Sequence, residues 1–217
     1  MVVTLLIVIV AGYLLGSLPF GYLVARAKGV NIFAVGSKSP GATNVRRVLG
    51  HGPGNLVTFL DAMKGAVAAG WPTVFFSWKE LAFGNAAVAV ADVKLLGVVG
   101  LAAALVGHSF SCFTHFKGGK GVATGAGGFL VLFPLGAIVA AAVWGLTLAV
   151  TRYVSLASML AAVALTLTAW LRHTTPLILG ACTSVMVFVI LRHRANISRL
   201  FAGAEHKVGQ KSDLPKS

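Results

Sequence analysis

Three glycines enclose a lysine at Gly118-Gly119-Lys120-Gly121, the end of a polar stretch (residues 107–121) lying between two long hydrophobic runs. Glycine removes the side chain, so backbone N–H groups can close around an anion, and lysine adds a compact point charge. The chemistry on offer is a phosphate cradle at a membrane surface. A nucleotide-hydrolysing loop of the Walker type is not indicated. That pattern needs a glycine five residues before the Gly-Lys pair and a Ser or Thr after the lysine, and Thr114 and Gly121 stand there instead. His108 and His115 have no carboxylate or third histidine close in sequence, so no metal site is expected. His108 reads as a structural donor. For Lys117 and Lys120 the alternative is that they only set membrane topology.

Other polar segments offer partners. In residues 36–47, Ser37, Thr43 and Asn44 precede Arg46 and Arg47. If Thr43 or Asn44 caps a helix, its free N–H groups and the arginines converge on an anion; otherwise this is an ordinary cap followed by topology arginines. Gly16-Ser17-Leu18-Pro19-Phe20-Gly21 reads as a kinked helix end satisfied by Ser17, or as a substrate contact. Ser155 follows Arg152, while His193 and Asn196, three apart, share a helix face suited to the hydroxyls of a small polar substrate. A capping, basic helix end is the alternative. Asp61 and Lys64, three apart within a hydrophobic run, are expected to pair with each other, because isolated charges there are costly.

The remaining carboxylates, Glu80, Asp92, Glu205 and Asp213, fall on the far side or near the tail. The candidate site is therefore almost all cationic and neutral, with no obvious carboxylate base and no His-x4-Asp pair. It suits two phosphate-bearing reactants better than acid/base hydrolysis.

These segments need elements to carry them. Of the 217 residues 57% are hydrophobic and 11% charged, against about a quarter charged in soluble domains, so the chain reads as polytopic. The 26 glycines fit closely packed spanning helices. The 18 Lys+Arg against 5 Asp+Glu, a net +13, serve topology, anionic headgroups or anionic substrates, and nucleic acid is not expected. Cys112 and Cys182 show no metal or redox spacing. The chain is apolar from Val2 and has no Lys or Arg before Arg26, as expected of a first spanning helix rather than a cleaved leader.

Candidate spans are Val2–Ala25, Gly54–Trp78, Leu95–Phe110, Leu156–Leu171 and Pro176–Leu191, with Trp78–Lys94 as a connection. The 29-residue run Val122–Val150 decides the topology. If it turns at Pro134, where the helix loses an N–H, there are seven spans. Fourteen of the eighteen Lys and Arg then share one side, three (Lys79, Lys94, Arg172) take the other and Lys64 lies within a span. The positive-inside rule favours that arrangement. The expectation is an all-α bundle of seven transmembrane helices, N-terminus outside and C-terminus cytoplasmic. Residues 1–203 form one transmembrane catalytic domain, and 204–217 a polar, disordered cytoplasmic tail.

Taken in order, the segments resemble the bacterial acyl-phosphate:glycerol-3-phosphate acyltransferases, the PlsY-type integral membrane enzymes. The matching pieces are Gly16-Ser17-Leu18-Pro19, Gly41-Ala42-Thr43-Asn44 with Arg47, Asp61-x-x-Lys64-Gly65, Gly107-His108-Ser109-Phe110, Phe116 through Thr124, Arg152 through Ser158 and Asn196-Ile197-x-Arg199-Leu200. They run from residue 16 to about 205, and the Phe116–Thr124 string is the most specific of them. The resemblance implies transfer of a fatty acyl group from acyl phosphate to the 1-hydroxyl of glycerol 3-phosphate, giving lysophosphatidic acid and phosphate, the first step of phospholipid synthesis. It further implies seven helices, a cytoplasm-facing site in the bacterial inner membrane, no metal or other cofactor, and an upstream enzyme that supplies acyl phosphate.

By motif match Ser37, Arg47, Lys120, Ser155, His193 and Asn196 carry over as catalytic or substrate-binding positions. Thr43, Asn44, Gly118, Gly119 and Gly121 join them from the reading above. Three positions depart from the family pattern, Lys38, Ser39 and Ala195. Ser37-Lys38-Ser39-Pro40 stands where Ser-Gly-Asn-x is usual, and Ala195 where Glu is usual. The rival is a transporter of phosphorylated solutes, but the chain shows no repeated halves; Leu171-Arg172-His173 and Leu191-Arg192-His193 match over only three residues.

Overall fold

The computed structural model describes residues 2–83 and 90–210, and among these every regular element is helical. In chain order they are α1 (Val2–Ser17), α2 (Phe20–Ala27), α3 (Ala42–Leu49), α4 (His51–Phe83), α5 (Val90–Ser109), α6 (Val122–Leu132), α7 (Pro134–Thr151), α8 (Val154–Leu171), α9 (Pro176–Arg192) and α10 (Arg194–Phe201). A 3-10 turn, Cys112–Thr114, lies between α5 and α6. The expected connection Trp78–Lys94 is shorter than its composition suggested, since α4 runs to Phe83 and α5 starts at Val90. Residues 84–89 of that connection lie outside the described residues, as does the end of the tail, 211–217.

Among the described residues four stretches are long and apolar enough to cross a bilayer: Val2–Ala27, Val93–Thr114, Pro134–Thr151 and Val154–Leu171. A fifth is reached if α9 and α10, bent by 58°, count as one. The seven expected from charge parity include two helices that miss this measure. The long helix α4 carries Asp61, Lys64 and Pro72, and α6 has only 11 residues. Outward faces are apolar, with Val2, Leu146 and Val150 exposed, as suits a hydrocarbon surround better than water.

Two prolines cut the apolar runs, each for its missing N–H and the restraint on its neighbour. The expected single span Val2–Ala25 is interrupted at Leu18-Pro19, ending α1 and starting α2. The run Val122–Val150 breaks at Phe133, and Pro134 takes the first position of α7, where no N–H is needed.

Small residues let the central helices touch. A side chain at Gly16 would strike the backbone of Ala104, and one at Gly65 the backbone of Thr124. Gly12 faces Gly100, Gly16 faces Ala104 and Ser17 faces Gly107, so α1 and α5 run in the same direction. Their last turns therefore reach the same level, where α4 packs onto both and α6 packs onto α4 and α5. Behind this level the core is Leu101, Leu105, Phe129, Leu165, Ile178 and Cys182.

Residues 204–210 differ from the disordered tail that the composition suggested. They fold back over the start of α8, where Val208 N–H donates to the Arg152 carbonyl (2.9 Å) and the Arg152 guanidinium donates to the Val208 carbonyl. Lys207 lies over the Tyr153 ring. Two reciprocal bonds and a cation–π contact offset the ordering entropy of so short a strap.

Candidate functional site

The site is built in two layers, the deeper within the helices. Asp61 and Lys64, 5% and 4% exposed, form an ion pair of 2.8 Å one turn apart on α4. The Lys64 ammonium also donates to the Leu18 carbonyl (3.0 Å), which the break at Pro19 frees from helical bonding. The Ser17 carbonyl at the same break accepts from Ser111 Oγ (2.6 Å). Asp61 faces His108 Nδ1 at 3.6 Å, and Thr124 Oγ1 lies 3.3 Å from the same nitrogen. His108, read as a structural donor, sits in such a place.

This layer fixes the glycine stretch, and in doing so changes what the glycines do. The Gly119 N–H donates to the His108 carbonyl (3.1 Å), and a side chain on Gly119 would collide with the His108 ring. Gly118 meets the His108 and Ser109 backbone in the same way. The expected open cradle of amides is thus corrected at Gly119, whose amide is committed to α5. Gly121 caps α6 in the left-handed region (φ 78°), which glycine alone enters without strain. The amides left to face an anion belong to the first turn of α6, whose N–H groups have no partner inside the helix.

The second layer surrounds Lys120. Its ammonium donates to Asn196 Oδ1, and Asn196 Nδ2 donates to Glu205 Oε1 (2.6 Å). Ser155 Oγ donates to the same Oε1 (2.8 Å), and Arg199 Nε donates to Oε2 (2.7 Å). Arg192 donates to the Gly119 carbonyl (2.9 Å) and stacks over Phe110, joining the end of α9 to the glycine stretch. His193 is 3% exposed, with Nδ1 2.7 Å from the Val189 carbonyl. A carbonyl only accepts, so the proton sits on Nδ1 and Nε2 keeps its lone pair.

Crowded cations shift one another. Burial is the main cause that pushes the Lys120 ammonium down to about 8; Glu205 opposes this, while Arg199, Arg192 and Arg47 add to it. Arg47 is also lowered, first by burial, against Glu205 and with Arg199. Burial alone would raise the Glu205 carboxyl, but hydrogen bonds from Asn196, Ser155 and Arg199 outweigh it and hold it below the ordinary value.

Lys120, Arg47, Ser155 and Asn196 are thus brought into one electrostatic unit, and His193 lies within reach of the Lys120 charge. The 36–47 segment behaves differently. Gly41, not Thr43 or Asn44, is the N-cap of α3. Asn44, 1% exposed, accepts from the Ser37 N–H (2.8 Å) and donates to the Val35 and Ser39 carbonyls (3.1 and 3.0 Å). Its side chain closes the loop and is not free for substrate, which corrects its expected binding role. Thr43 and Ser37 are exposed. Lys38, standing where the family pattern has Gly, adopts φ 54°, and Ser39 Oγ accepts from the Gly41 N–H (3.4 Å). Glu205 corrects the expected carboxylate-free site: the sequence places it near the tail, yet it stands among these cations, and Arg192, given no role by the sequence, joins it there. A surplus of cations signals that some counter-charge is needed, but no spacing nominated which.

An apolar groove of about 620 Å³ runs along α4, lined by Ala66, Val67, Gly70, Trp71, Val74 and Phe75, away from this chemistry.

Comparison with known proteins agrees with the motif order. The family model described as glycerol-3-phosphate acyltransferase matches residues 6–203. A glycerol-3-phosphate acyltransferase of Desulforamulus reducens is 41% identical over 210 residues, covering 96% of this chain and 98% of the relative. One from Synechococcus sp. (strain JA-3-3Ab) is 44% identical over 208 residues, covering 95% and 94%. The crystal structure of PlsY (YgiH), an integral membrane glycerol 3-phosphate acyltransferase, in its glycerol 3-phosphate form is similar with a TM-score of 0.81 and 36% identity, covering 94% of this chain and 96% of that one. Its lysophosphatidic acid form gives a TM-score of 0.78, at 36% identity and 94% and 95% coverage.

The deeper layer makes a direct prediction. Removing one member of a buried ion pair costs about 3–5 kcal/mol, because the other charge is left without its partner. Lys64→Met is expected to lower the thermal unfolding midpoint in detergent sharply, and Asp61→Asn/Lys64→Met to recover much of the loss. A single variant as stable as the unsubstituted protein would contradict the pairing.

Proposed function

Because the chain belongs to the glycerol-3-phosphate acyltransferase family, we propose that it moves a fatty acyl group from acyl phosphate to the 1-hydroxyl of sn-glycerol 3-phosphate, releasing lysophosphatidic acid and inorganic phosphate. It is a multi-pass membrane protein. The observation that carries the reading is the convergence of Lys120, Arg47, Arg199 and the α6 N-terminus on one partly buried centre beside hydroxyl-binding groups.

Lys120, Arg47 and the first-turn amides of α6 hold the phosphoryl group of the acyl phosphate. His193 and Asn196 hold glycerol 3-phosphate so that its 1-hydroxyl meets the acyl carbonyl, supplying proximity. Ser155 adds a hydrogen bond, and Ser37 and Thr43 complete the rim of the site. The hydroxyl oxygen forms the new C–O bond, the carbonyl-to-phosphate C–O bond breaks, and the cationic groups stabilise charge on the departing phosphate. The hydroxyl proton goes to a substrate phosphate or to His193 Nε2. An acyl phosphate is already activated, so neither a covalent acyl-enzyme nor a strong base is needed. The acyl chain lies in a groove between helices, entered from the membrane.

Residues 1–203 form the transmembrane catalytic domain and 204–217 a polar cytoplasmic tail, whose first part, 204–210, folds back onto that domain and brings Glu205 to the site. The chain crosses the bacterial inner membrane seven times, with α6 and α7 as two short crossings, so that the N-terminus lies outside and the site faces the cytoplasm. The break at Pro134 and the one-sided distribution of Lys and Arg support this reading. An enzyme that makes acyl phosphate acts upstream.

Purified protein given acyl phosphate and glycerol 3-phosphate is expected to form lysophosphatidic acid, and acyl-CoA in parallel to give none. Lys120→Ala should retain its fold and lose about a hundredfold or more in kcat. Lys120 works as an ammonium, so kcat/KM should hold below its value of about 8 and fall as pH rises through it. Activity with acyl-CoA alone, or an unimpaired Lys120→Ala, would overturn the donor or the cradle. For the topology, an engineered Ser212→Cys is expected to resist impermeant thiol reagents in intact cells and to react once the membrane is opened. Labelling from outside would reverse the orientation.

A further inference from the structure

We propose that Glu205 is a positioning residue of this centre, held on the helix ends by the 204–210 strap so that its carboxylate sets the orientation of Asn196, Ser155 and Arg199. The inference rests on the acyl-transfer reading above. Its ground is the geometry: one side chain, 7% exposed, accepts from Asn196 Nδ2 (2.6 Å), Ser155 Oγ (2.8 Å) and Arg199 Nε (2.7 Å).

The chemistry of each partner gives the orientation a direction. A carboxylate only accepts and an ammonium only donates, whereas an amide has one end of each kind. Asn196 stands between Glu205 and Lys120, so its NH2 must face Glu205 and its oxygen must face Lys120. Without Glu205 that choice rests on Lys120 alone. Ser155 spends its only proton on Glu205, which leaves its lone pairs to accept from a substrate hydroxyl and removes it as a donor to phosphate. Arg199 is held by its Nε, which leaves the outer guanidinium nitrogens for other contacts.

Glu205 does not serve as the general base. Oε1 receives two donors and Oε2 a charged one, and a carboxylate so satisfied is a weak proton acceptor. Nor is it a stray tail contact, because the Arg152–Val208 pairing anchors the strap three residues further on. Among the charged groups that act on Lys120, Arg199, Arg192 and Arg47 disfavour its ammonium and Glu205 favours it, with His193 also within reach. Loss of Glu205 therefore makes Lys120 shed its proton at lower pH.

Glu205→Gln is expected to lower kcat/KM by about tenfold to a hundredfold and to move its alkaline fall to lower pH, with Glu205→Asp restoring part of both. Arg152→Ala, which loosens the strap without touching the carboxylate, should give a smaller change in the same direction, and it decides the matter if Glu205→Gln fails to fold. Reductive methylation of Lys120 with formaldehyde, followed by mass spectrometry across pH, reads the same network without turnover; Lys120 should react at lower pH in Glu205→Gln. Unsubstituted protein that makes no lysophosphatidic acid would sink the acyl-transfer reading while the methylation profile still tested Glu205. An unchanged rate and methylation profile in Glu205→Gln would overturn the positioning role. So would a faster variant with a lower KM for glycerol 3-phosphate, since the carboxylate would then be competing with substrate phosphate.

Discussion

An ion pair buried among apolar helices organises this protein. Asp61 and Lys64 cannot be left singly in such surroundings, and their remaining bonding capacity reaches outward to the Leu18 carbonyl and His108. Each contact ties down a different part of the chain. Leu18 lies at the break that Pro19 makes between α1 and α2. His108 is the last turn of α5, and its carbonyl fixes Gly119, next to Lys120. The polar chemistry at the helix ends is held in place by charges buried beneath it.

Above this layer lies a surplus of positive charge with one carboxylate in its midst. Lys120, Arg47, Arg192 and Arg199 repel one another, and burial adds to the cost. A dianionic ligand would relieve that repulsion, so such a centre suits phosphate-bearing reactants, and the proposed transfer places the charge of its departing phosphate there. Glu205 supplies part of that relief, accepting from Arg199 and favouring the Lys120 ammonium, and the strap anchors it there.

Much of this was legible in the sequence because it depends on local chemistry. Pro19 and Pro134 mark breaks because proline has no N–H, and the spacing of Asp61 and Lys64 implies a pair on one helix face. Family order brought Lys120, Arg47, Ser155, His193 and Asn196 to attention. Contacts made across long separations were hidden. The purpose of Gly119 became clear only once His108 was found against it. Asn44 looked like a cap or a ligand, yet it closes a loop whose carbonyls lie up to twelve residues away. Glu205 sits in a polar, tail-like stretch, and its partners come from α8 and α10, which no local pattern reveals.

The central claim, that the Lys120 ammonium grips the phosphoryl group of an acyl donor, can be tested without turnover. A donor analogue with a methylene in place of the bridging oxygen cannot transfer its acyl group, and its affinity can be measured by calorimetry on the purified protein and on Lys120→Met. The account predicts binding weakened by about tenfold or more in the variant, as expected when a charge-assisted bond to phosphate is lost. Equal affinity in the two proteins would contradict it.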